Sequence, residues 1–506
     1  MPIVDLLKNG QDAATAIGGV EGAKPLSYAG LRSLASRTIA RLNELGIGRG
    51  DRVAIVAPNG PEMAAAFMCI ASGAVTAPLN PAYRGDEFEF YLNDLRSKAL
   101  VIERGMQSPA REVAKKLNVP IIELVPHREE GVGSFTLEPV DKLSGSVAKP
   151  GPAQDDDEAL VLHTSGTTSR PKIVPLLQRN LMATARNISG TLLLKPEDIC
   201  LNIMPLFHIH GLMAAVLSSV NAGAAVHCTP GFNALKFFGW LEEVKPTWYT
   251  AVPTMHQAIL ARAERNVDIV GRSRLRLIRS SSSSLPPQVM LELEKTFKAP
   301  VIESYGMTEA AHQMASNPLP PRARKPGFVG VAAGPEVGIM DEQNKLLGAG
   351  EIGEIVIRGA NVTPGYEANP GANAKAFTAG WFRTGDQGSI DGEGYLQLTG
   401  RLKELINRGG EKISPVEVDV VLMDHPSVAQ CVTFAVPHDK LGEEVAAAVV
   451  LREGTTATER ELRDFAATKL ADYKVPRKIV LLAEIPKGAT GKLQRIGLAQ
   501  KLGLAK

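Results

Sequence analysis

The sequence predicts an α/β protein with two domains: a large N-terminal domain of layered α/β sheets, residues 1–400, and a small C-terminal α+β domain, residues 401–506. Three observations support this prediction. A chain of 506 residues is long enough for at least two domains, since one domain takes about 100–200 residues. Short apolar runs alternate with helical stretches in the first part, which is typical of parallel α/β layers. After Gly400 the pattern of predicted helices and strands changes to that of a compact α+β unit.

Strand and helix patterns alternate along the first 400 residues. Residues 52–57 and 99–102 predict strands, and residues 28–45 predict a helix. The most apolar stretch, 63–79, is interrupted by Ser, Gly and Thr, so it predicts a buried helix running into a strand and not a membrane span. Residues 144–157 predict a surface linker. The small domain is predicted to contain helices and strands at 415–423, 431–435, 445–451, 459–470 and 478–482.

Composition limits the kinds of partner. The chain has 56 basic and 54 acidic residues and a net charge of +2, which argues against binding nucleic acid or a membrane through a broad electrostatic field. We expect small-molecule partners and a monomer or homodimer. Residues 1–8 lack the features of a secretory signal, so a cytoplasmic location is expected. The cysteines lie far apart, without metal-ligand spacing, and predict buried thiols: Cys69, Cys200, Cys228 and Cys431.

A cluster of hydroxyl side chains follows the predicted buried strand 159–163. Residues 163–172 read His-Thr-Ser-Gly-Thr-Thr-Ser-Arg-Pro-Lys, so hydroxyls and backbone N–H groups can surround phosphate oxygens. The run lacks the spacing of the Walker loop, and a solvated Ser/Thr turn is the alternative. The residues predicted to hold phosphates are Thr164, Ser165, Gly166, Thr167, Thr168 and Lys172.

Five further segments carry side chains that suit a nucleotide or an acid. They are residues 205–211, 301–310, 380–386 with 400–404, 407–415 and 485–492. Together with the phosphate loop, and in this order, they resemble the signatures of the adenylate-forming enzymes. That family includes acyl-CoA synthetases, luciferases and peptide-synthetase adenylation domains. The resemblance covers almost the whole chain and implies the family's fold, in which the C-terminal domain is mobile.

The resemblance assigns the ATP side of the site. In the run Glu-Ser-Tyr-Gly-Met-Thr-Glu, Tyr305 stacks on adenine beside Gly306, and the Thr308 hydroxyl contacts the α-phosphate. Glu309 binds Mg²⁺, a hard cation that prefers oxygen ligands.

Two further segments complete the nucleotide site. Asp386 can accept both ribose hydroxyls, and Arg401 adds a fixed fork of donors to ribose or phosphate. Lys492 resembles the family's adenylation lysine, which bridges the substrate carboxylate and the α-phosphate. Lys403 matches the hinge about which the small domain turns.

The same resemblance implies two half-reactions. A carboxylate attacks the α-phosphorus of ATP to give an acyl-adenylate and pyrophosphate, and the thiol of coenzyme A then displaces AMP. The cofactors and co-substrates are therefore ATP, Mg²⁺ and coenzyme A. The candidate residues on the CoA side are Gly409, Gly410 and Lys412.

The predicted acyl pocket is polar. Residues 279–284 read Arg-Ser-Ser-Ser-Ser-Ser and residues 311–313 read Ala-His-Gln, whereas fatty or aromatic acids need apolar walls. The resemblance implies that His208 is a wall or gate of the acyl pocket, and with Ser282 and His312 it can hold the second carboxylate of a small diacid. That role requires a charged His or a donating neutral tautomer. His210 is left unassigned, because its i+2 spacing turns it away from His208.

The pocket segments 247–254, 279–285 and 312–319 resemble those of the family members that ligate oxalate to CoA, and oxalate is the predicted substrate. Glycolate, malonate or a hydroxycinnamate are alternatives, as is an adenylation enzyme that loads a carrier protein.

Ile173 departs from the family pattern, which usually has Gly after Lys172. Ile is stiff and disfavours positive φ. If the Gly gives the loop mobility, Ile173→Gly is expected to raise turnover; the alternative is an outward-facing Ile without effect.

Overall fold

Four β-sheets and the helices between them build the protein, which a computed structural model describes over residues 2–143, 146–164 and 171–505. Two sheets are large and mostly parallel, and two are small and mostly antiparallel. The prediction of an α/β protein is confirmed. None of the helices within the described ranges has the length and apolar character needed to cross a membrane.

The seven-stranded sheet contains, at one edge, the two strands on either side of the predicted phosphate loop. Its inner strands are parallel, and the two strands at each end pair antiparallel. In spatial order the strands are Phe135–Pro139, Ile121–Pro126, Ala99–Glu103, Arg52–Val56, Val75–Pro78, Glu158–His163 and Ile173–Leu177.

The nine-stranded sheet supplies most of the remaining site. Six consecutive strands are parallel, from Val301–Met307 to Thr15–Gly18. In spatial order the strands are Val331–Ala332, His312–Ser316, Val301–Met307, Leu277–Ser281, Trp248–Ala251, Ile199–Asn202, Ala225–Cys228, Thr15–Gly18 and Leu26–Ser27.

Apolar helices lie between the two large sheets. The helix Pro61–Ala71 begins with Pro at its first turn, where no backbone N–H is needed. Ten of its eleven residues are buried, as expected for a helix covered on all sides. It packs with the π-helix His210–Leu217 in one core cluster that includes residues of both sheets. The predicted buried helix and following strand are thus confirmed.

The two small sheets follow in the chain. The first contains Glu336–Met340, Gly353–Arg358, Phe377–Thr378, Trp381–Ile390 and Leu396–Arg401. The second contains Ile406–Arg408, Glu411–Ile413, Val428–His438, Gly442–Leu451 and Lys478–Leu481. The helices Pro415–Met423 and Glu459–Ala467 accompany the second sheet, and each begins at a capping hydroxyl, from Ser414 and Thr458.

The other helices connect strands or cover the sheets. The predicted helix 28–45 is found at Tyr28–Glu44. The remaining α-helices are Ile3–Leu6, Gly85–Leu95, Pro109–Lys116, Gln178–Thr191, Ser218–Asn221, Phe237–Val244, Pro253–Ala263, Val267–Arg272, Pro287–Phe297, Pro370–Ala376 and Leu498–Lys501, and short 3₁₀ turns occur at Glu264–Asn266, Thr308–Ala310 and Asp472–Lys474.

All four cysteines are buried with free thiols, as predicted. Burial raises the pKa of each thiol, because the thiolate would lose its hydration. The four residues are Cys69, Cys200, Cys228 and Cys431.

Candidate active site

The carboxyl ends of three neighbouring parallel strands meet at one edge of the nine-stranded sheet. These strands are Trp248–Ala251, Leu277–Ser281 and Val301–Met307. Ser282 follows the second strand directly, and Thr308 follows the third. Such an edge is where open α/β sheets bind ligands, so the chain topology gathers the predicted residues there.

The nucleotide side joins three predicted residues from separate segments. The Tyr305 hydroxyl donates to Asp386 Oδ2 at 2.5 Å, and Arg401 Nε lies 3.1 Å from Asp386 Oδ1. Asp386 and Arg401 are also paired across two antiparallel strands. Burial raises the pKa of Asp386, and the Arg401 guanidinium opposes that shift. The structure therefore holds a buried carboxylate beside an aromatic ring, an arrangement that suits ribose next to a base.

Gly306 is required by a close approach of two strands. A Cβ at this position would lie 1.8 Å from the carbonyl oxygen of His312, and the register between the strands shifts between Tyr305 and Gly306. Any larger residue would have to push His312 and its strand away from the site.

A second group connects Lys172 with Glu309. The Tyr366 hydroxyl donates to Glu309 Oε1 at 2.8 Å, and Lys172 Nζ lies 4.2 Å from the centre of the Tyr366 ring. Burial raises the pKa of Glu309, and Tyr366 opposes the shift. Sequence reasoning missed Tyr366; the Pro-Gly turn before this aromatic residue was the available signal. Thr308, also predicted, is partly exposed in the adjoining 3₁₀ turn.

The base of the phosphate loop is closed by Thr164 and Lys172. The Thr164 N–H donates to the carbonyl oxygen of Lys172 at 3.0 Å, and the Lys172 N–H donates to Thr164 Oγ1 at 3.4 Å. Both predicted residues therefore extend the pairing of the flanking strands. The other predicted loop residues lie outside the described part of the chain: Ser165, Gly166, Thr167 and Thr168.

Lys492 interacts electrostatically with both the nucleotide group and the predicted acyl pocket. Its loop is joined to the start of the helix Pro253–Ala263 by a hydrogen bond from Thr254 Oγ1 to the carbonyl oxygen of Gly491, 2.6 Å long. Burial lowers the pKa of Lys492 to about 8, with Arg401 adding to the shift and Asp386 opposing it. Burial, with a contribution from the Lys492 charge, lowers the pKa of His208 to about 3. Lys492 is thus close enough to act on both groups.

His210, which the sequence left unassigned, contacts a predicted substrate residue. His210 Nδ1 lies 3.0 Å from Ser282 Oγ and its Nε2 lies 2.6 Å from Thr250 Oγ1. Its ring is edge-on to that of His312, with centroids 5.0 Å apart. The i+2 spacing does separate His210 from His208, but it turns His210 toward the sheet, where Ser282 and His312 lie. The position of that sheet was the missing information.

Two residues on the acyl side of the site, the part predicted to bind the substrate acid, have an unusual backbone conformation. Ser282 has φ 75° and His312 has φ 111°, which side-chain-bearing residues rarely adopt. Burial lowers the pKa of His312 and His210 well below the usual value. The imidazoles are therefore neutral at pH 7, and of the two predicted ways to hold a carboxylate, donation from a neutral tautomer is the one that the site supports.

The predicted hinge and CoA residues are exposed. Gly409 and Gly410, both with positive φ, form an exposed turn between two short strands, where Lys412 is also exposed. Lys403 is exposed in the turn after the strand Leu396–Arg401. Their roles in CoA binding and domain rotation stay predictions.

Ile173 packs inward at the start of its strand. It is 8% exposed, belongs to a core cluster and pairs with His163, so the outward-facing alternative is wrong.

We expect Ile173→Gly to lower the free energy of unfolding by about 2–5 kcal/mol, because it leaves a cavity, as measured by denaturant unfolding. Ile173→Val, which removes one carbon, should cost about 1 kcal/mol. Equal stability of all three proteins would contradict this. Turnover of the same Gly variant tests the predicted increase.

Comparisons with known proteins agree along the chain. The sequence profile of the AMP-binding enzyme family matches residues 8–367, and the profile of the AMP-binding enzyme C-terminal domain matches residues 417–492. The chain is 46% identical to oxalate–CoA ligase from Arabidopsis thaliana, covering 95% of this chain and 94% of that one. It is 43% identical to oxalate–CoA ligase from Saccharomyces cerevisiae, covering 89% and 87%. Its fold is similar to ATP-bound MatB from Rhodopseudomonas palustris, with a TM-score of 0.88, 29% identity and 99% of both chains covered.

Proposed function

The chain belongs to the family of AMP-binding enzymes, and from this premise we propose that it is an AMP-forming acid–CoA ligase whose substrate is oxalate. One observation carries the proposal: the high identity to two oxalate–CoA ligases extends over nearly the whole chain. The polar acyl side supports the same substrate, because a fatty or aromatic acid would leave its buried donors unpaired.

The reaction needs no side-chain nucleophile. One oxygen of the substrate carboxylate attacks the α-phosphorus of ATP, the bond from that phosphorus to the bridging oxygen breaks, and pyrophosphate leaves. The CoA thiol then loses its proton and attacks the acyl carbon, and AMP leaves. We assign to Lys492, whose charge acts on His208 and Asp386, the stabilisation of the charge that develops in the first step.

Glu309 is the residue that we propose to bind Mg²⁺. Its carboxylate is 6% exposed, and burial raises its pKa, so a nearby cation would offset the cost of burying its charge. When bound, Mg²⁺ would neutralise phosphate charge. Within the described residues no group of three or more His, Cys, Asp or Glu could hold a metal, which suits an ion whose other ligands are phosphates and water.

We also propose a domain boundary near residue 400 and rotation of the small domain about Lys403 between the half-reactions. The start of a separate sheet at Ile406–Arg408 supports the boundary. Rotation would bring the exposed turn with Gly409, Gly410 and Lys412 toward CoA. The cytoplasmic location and the monomeric or dimeric state stay predictions.

Pyrophosphate release across a panel of acids tests the function. With ATP and Mg²⁺ the panel is oxalate, malonate, glycolate, acetate, octanoate and coumarate, each with and without CoA. We expect CoA-dependent turnover with oxalate to exceed that with every other acid. A preference for coumarate would favour a hydroxycinnamate ligase. Adenylate formation without release of a free CoA thioester would favour a carrier-loading enzyme.

A further inference from the structure

Arg279 is a buried cation without a carboxylate partner. Its side chain is fully buried, and within the described residues no ion pair involves it. Nη1 lies 3.4 Å from Thr250 Oγ1 and Nη2 lies 3.4 Å from Gln313 Oε1, both longer than usual N–H···O hydrogen bonds. Nε has no partner among the described residues. Burying a charge so weakly paired is costly. A bound anion would offset that cost.

An arginine just before the same strand shows how the protein itself can satisfy the donors of a guanidinium group. Arg276, three residues earlier, has both Nε and Nη2 2.6 Å from the two carboxylate oxygens of Asp198, and it also donates to the carbonyl oxygen of Leu192. Its fork of donors is satisfied by the protein. Arg279 has the same fork but neutral partners at long range, which points to a ligand from outside the chain.

The surroundings of Arg279 belong to the acyl side of the site. Thr250 Oγ1 also makes the short contact with His210 Nε2, and Gln313 directly follows His312. Both ring nitrogens of His312 lack hydrogen-bond partners among the described residues. The charges of Arg279 and Lys492 both lower the pKa of His312 and of His210, so these imidazoles lie within range of both cations.

We propose that Arg279 holds the non-reacting carboxylate of the substrate and thereby selects a dianion over acids with one charge. The inference deepens the proposed function and rests on it. Because His208, His210 and His312 are neutral, Arg279 supplies the positive charge on this side, and His208, His312 and Ser282 supply neutral donors. The reacting carboxylate is then left for Lys492 and the α-phosphate. In a diacid of two carbons a single C–C bond joins these two anionic groups.

Oxamate gives a test that starts with the unaltered enzyme. Oxamate has the shape of oxalate with one carboxylate replaced by a neutral amide. For the wild type we expect kcat/KM to be about 30- to 5,000-fold higher with oxalate than with oxamate, the range for removing one partner of a buried charged hydrogen bond. In Arg279→Gln the ratio should fall to about 1, and Arg279→Lys should lie between, since Lys keeps the charge without the fork. Arg274→Gln, at an exposed position, is the matched control.

The ratio of the two substrates cancels a general loss of activity. An unchanged ratio in Arg279→Gln, with an unchanged melting temperature and KM for ATP, would overturn the inference and leave the proposed function standing. If Arg279→Gln does not fold, the wild type decides: equal use of oxalate and oxamate overturns the inference, and strong discrimination that weakens in Arg279→Lys supports it. A wild type that turns over acetate or coumarate but not oxalate overturns the proposed function as well.

Discussion

Lys492→Ala should lower the rate of acyl-adenylate formation by about 10³-fold, the effect of removing one well-placed donor from a transition state. The Lys492 charge acts on both Asp386 and His208, and we propose that the carboxylate and the α-phosphate meet beside it. The second half-reaction, which breaks a different bond, should be affected by less than about tenfold. Single-turnover pyrophosphate release measures the first step, and thioester formation from synthetic oxalyl-adenylate measures the second.

Lys487→Ala is the matched control for this variant. Lys487 lies in the same loop, and its ammonium pairs with Glu484 at 2.9 Å on the surface. We expect both half-reactions of the control to keep wild-type rates. Equal losses in both half-reactions of Lys492→Ala would contradict a specific role in adenylation and indicate a disturbed fold.

The charge of Lys492 also predicts a pH dependence. Its pKa of about 8 means that the cationic form dominates below pH 8 and is lost above it. Since the cation is the active form, kcat/KM for ATP should fall by about tenfold per pH unit above pH 8. In Lys492→Arg this decline should move to higher pH, because guanidinium keeps its proton. A decline at the same pH in both proteins would assign it to another group.

Asp386→Asn should raise KM for ATP by about 100-fold, because two acceptor oxygens for the ribose hydroxyls become one acceptor and one donor. Asp386 is 4% exposed and already receives the Tyr305 hydroxyl and Arg401, so water cannot replace the lost acceptor. Replacement by Asn also leaves Arg401 without its ion pair. ATP binding by calorimetry and KM by steady-state kinetics measure the effect.

Asp268→Asn makes the same chemical change at an exposed helix position and should bind ATP like the wild type. The 2′-deoxy and 3′-deoxy forms of ATP provide the substrate-side control. If Asp386 binds ribose, the wild type should discriminate between ATP and these deoxynucleotides more strongly than Asp386→Asn does. Unchanged discrimination would show that the carboxylate acts elsewhere.

Ordered motifs predicted the fold and most of the nucleotide side. The runs around Tyr305, Asp386 and Arg401 are far apart in sequence, yet strand order and a register pairing bring them together. The resemblance of these short motifs to the family signatures implied their roles, and the strands and turns that carry them have short-range causes in the sequence. The predicted helices and strands agree with the structure for the same reason, with ends that differ by a few residues.

The acyl side could not be read from the sequence in the same way. Arg279 stood in a visibly polar run, but only its burial and its lack of a carboxylate distinguish it from Arg276. The direction of His210 depends on which sheet its helix covers, and the contact of Tyr366 with Glu309 joins residues 57 apart in the chain. These properties arise from tertiary packing, which local patterns do not contain.

The burial of every cysteine has a consequence for an enzyme whose co-substrate is itself a thiol. A CoA disulfide reacts only with an accessible thiolate, and here all four thiols are buried with raised pKa values. The folded protein should therefore resist mixed-disulfide formation with oxidised CoA. We therefore expect the enzyme to remain unmodified by oxidised CoA through repeated turnovers.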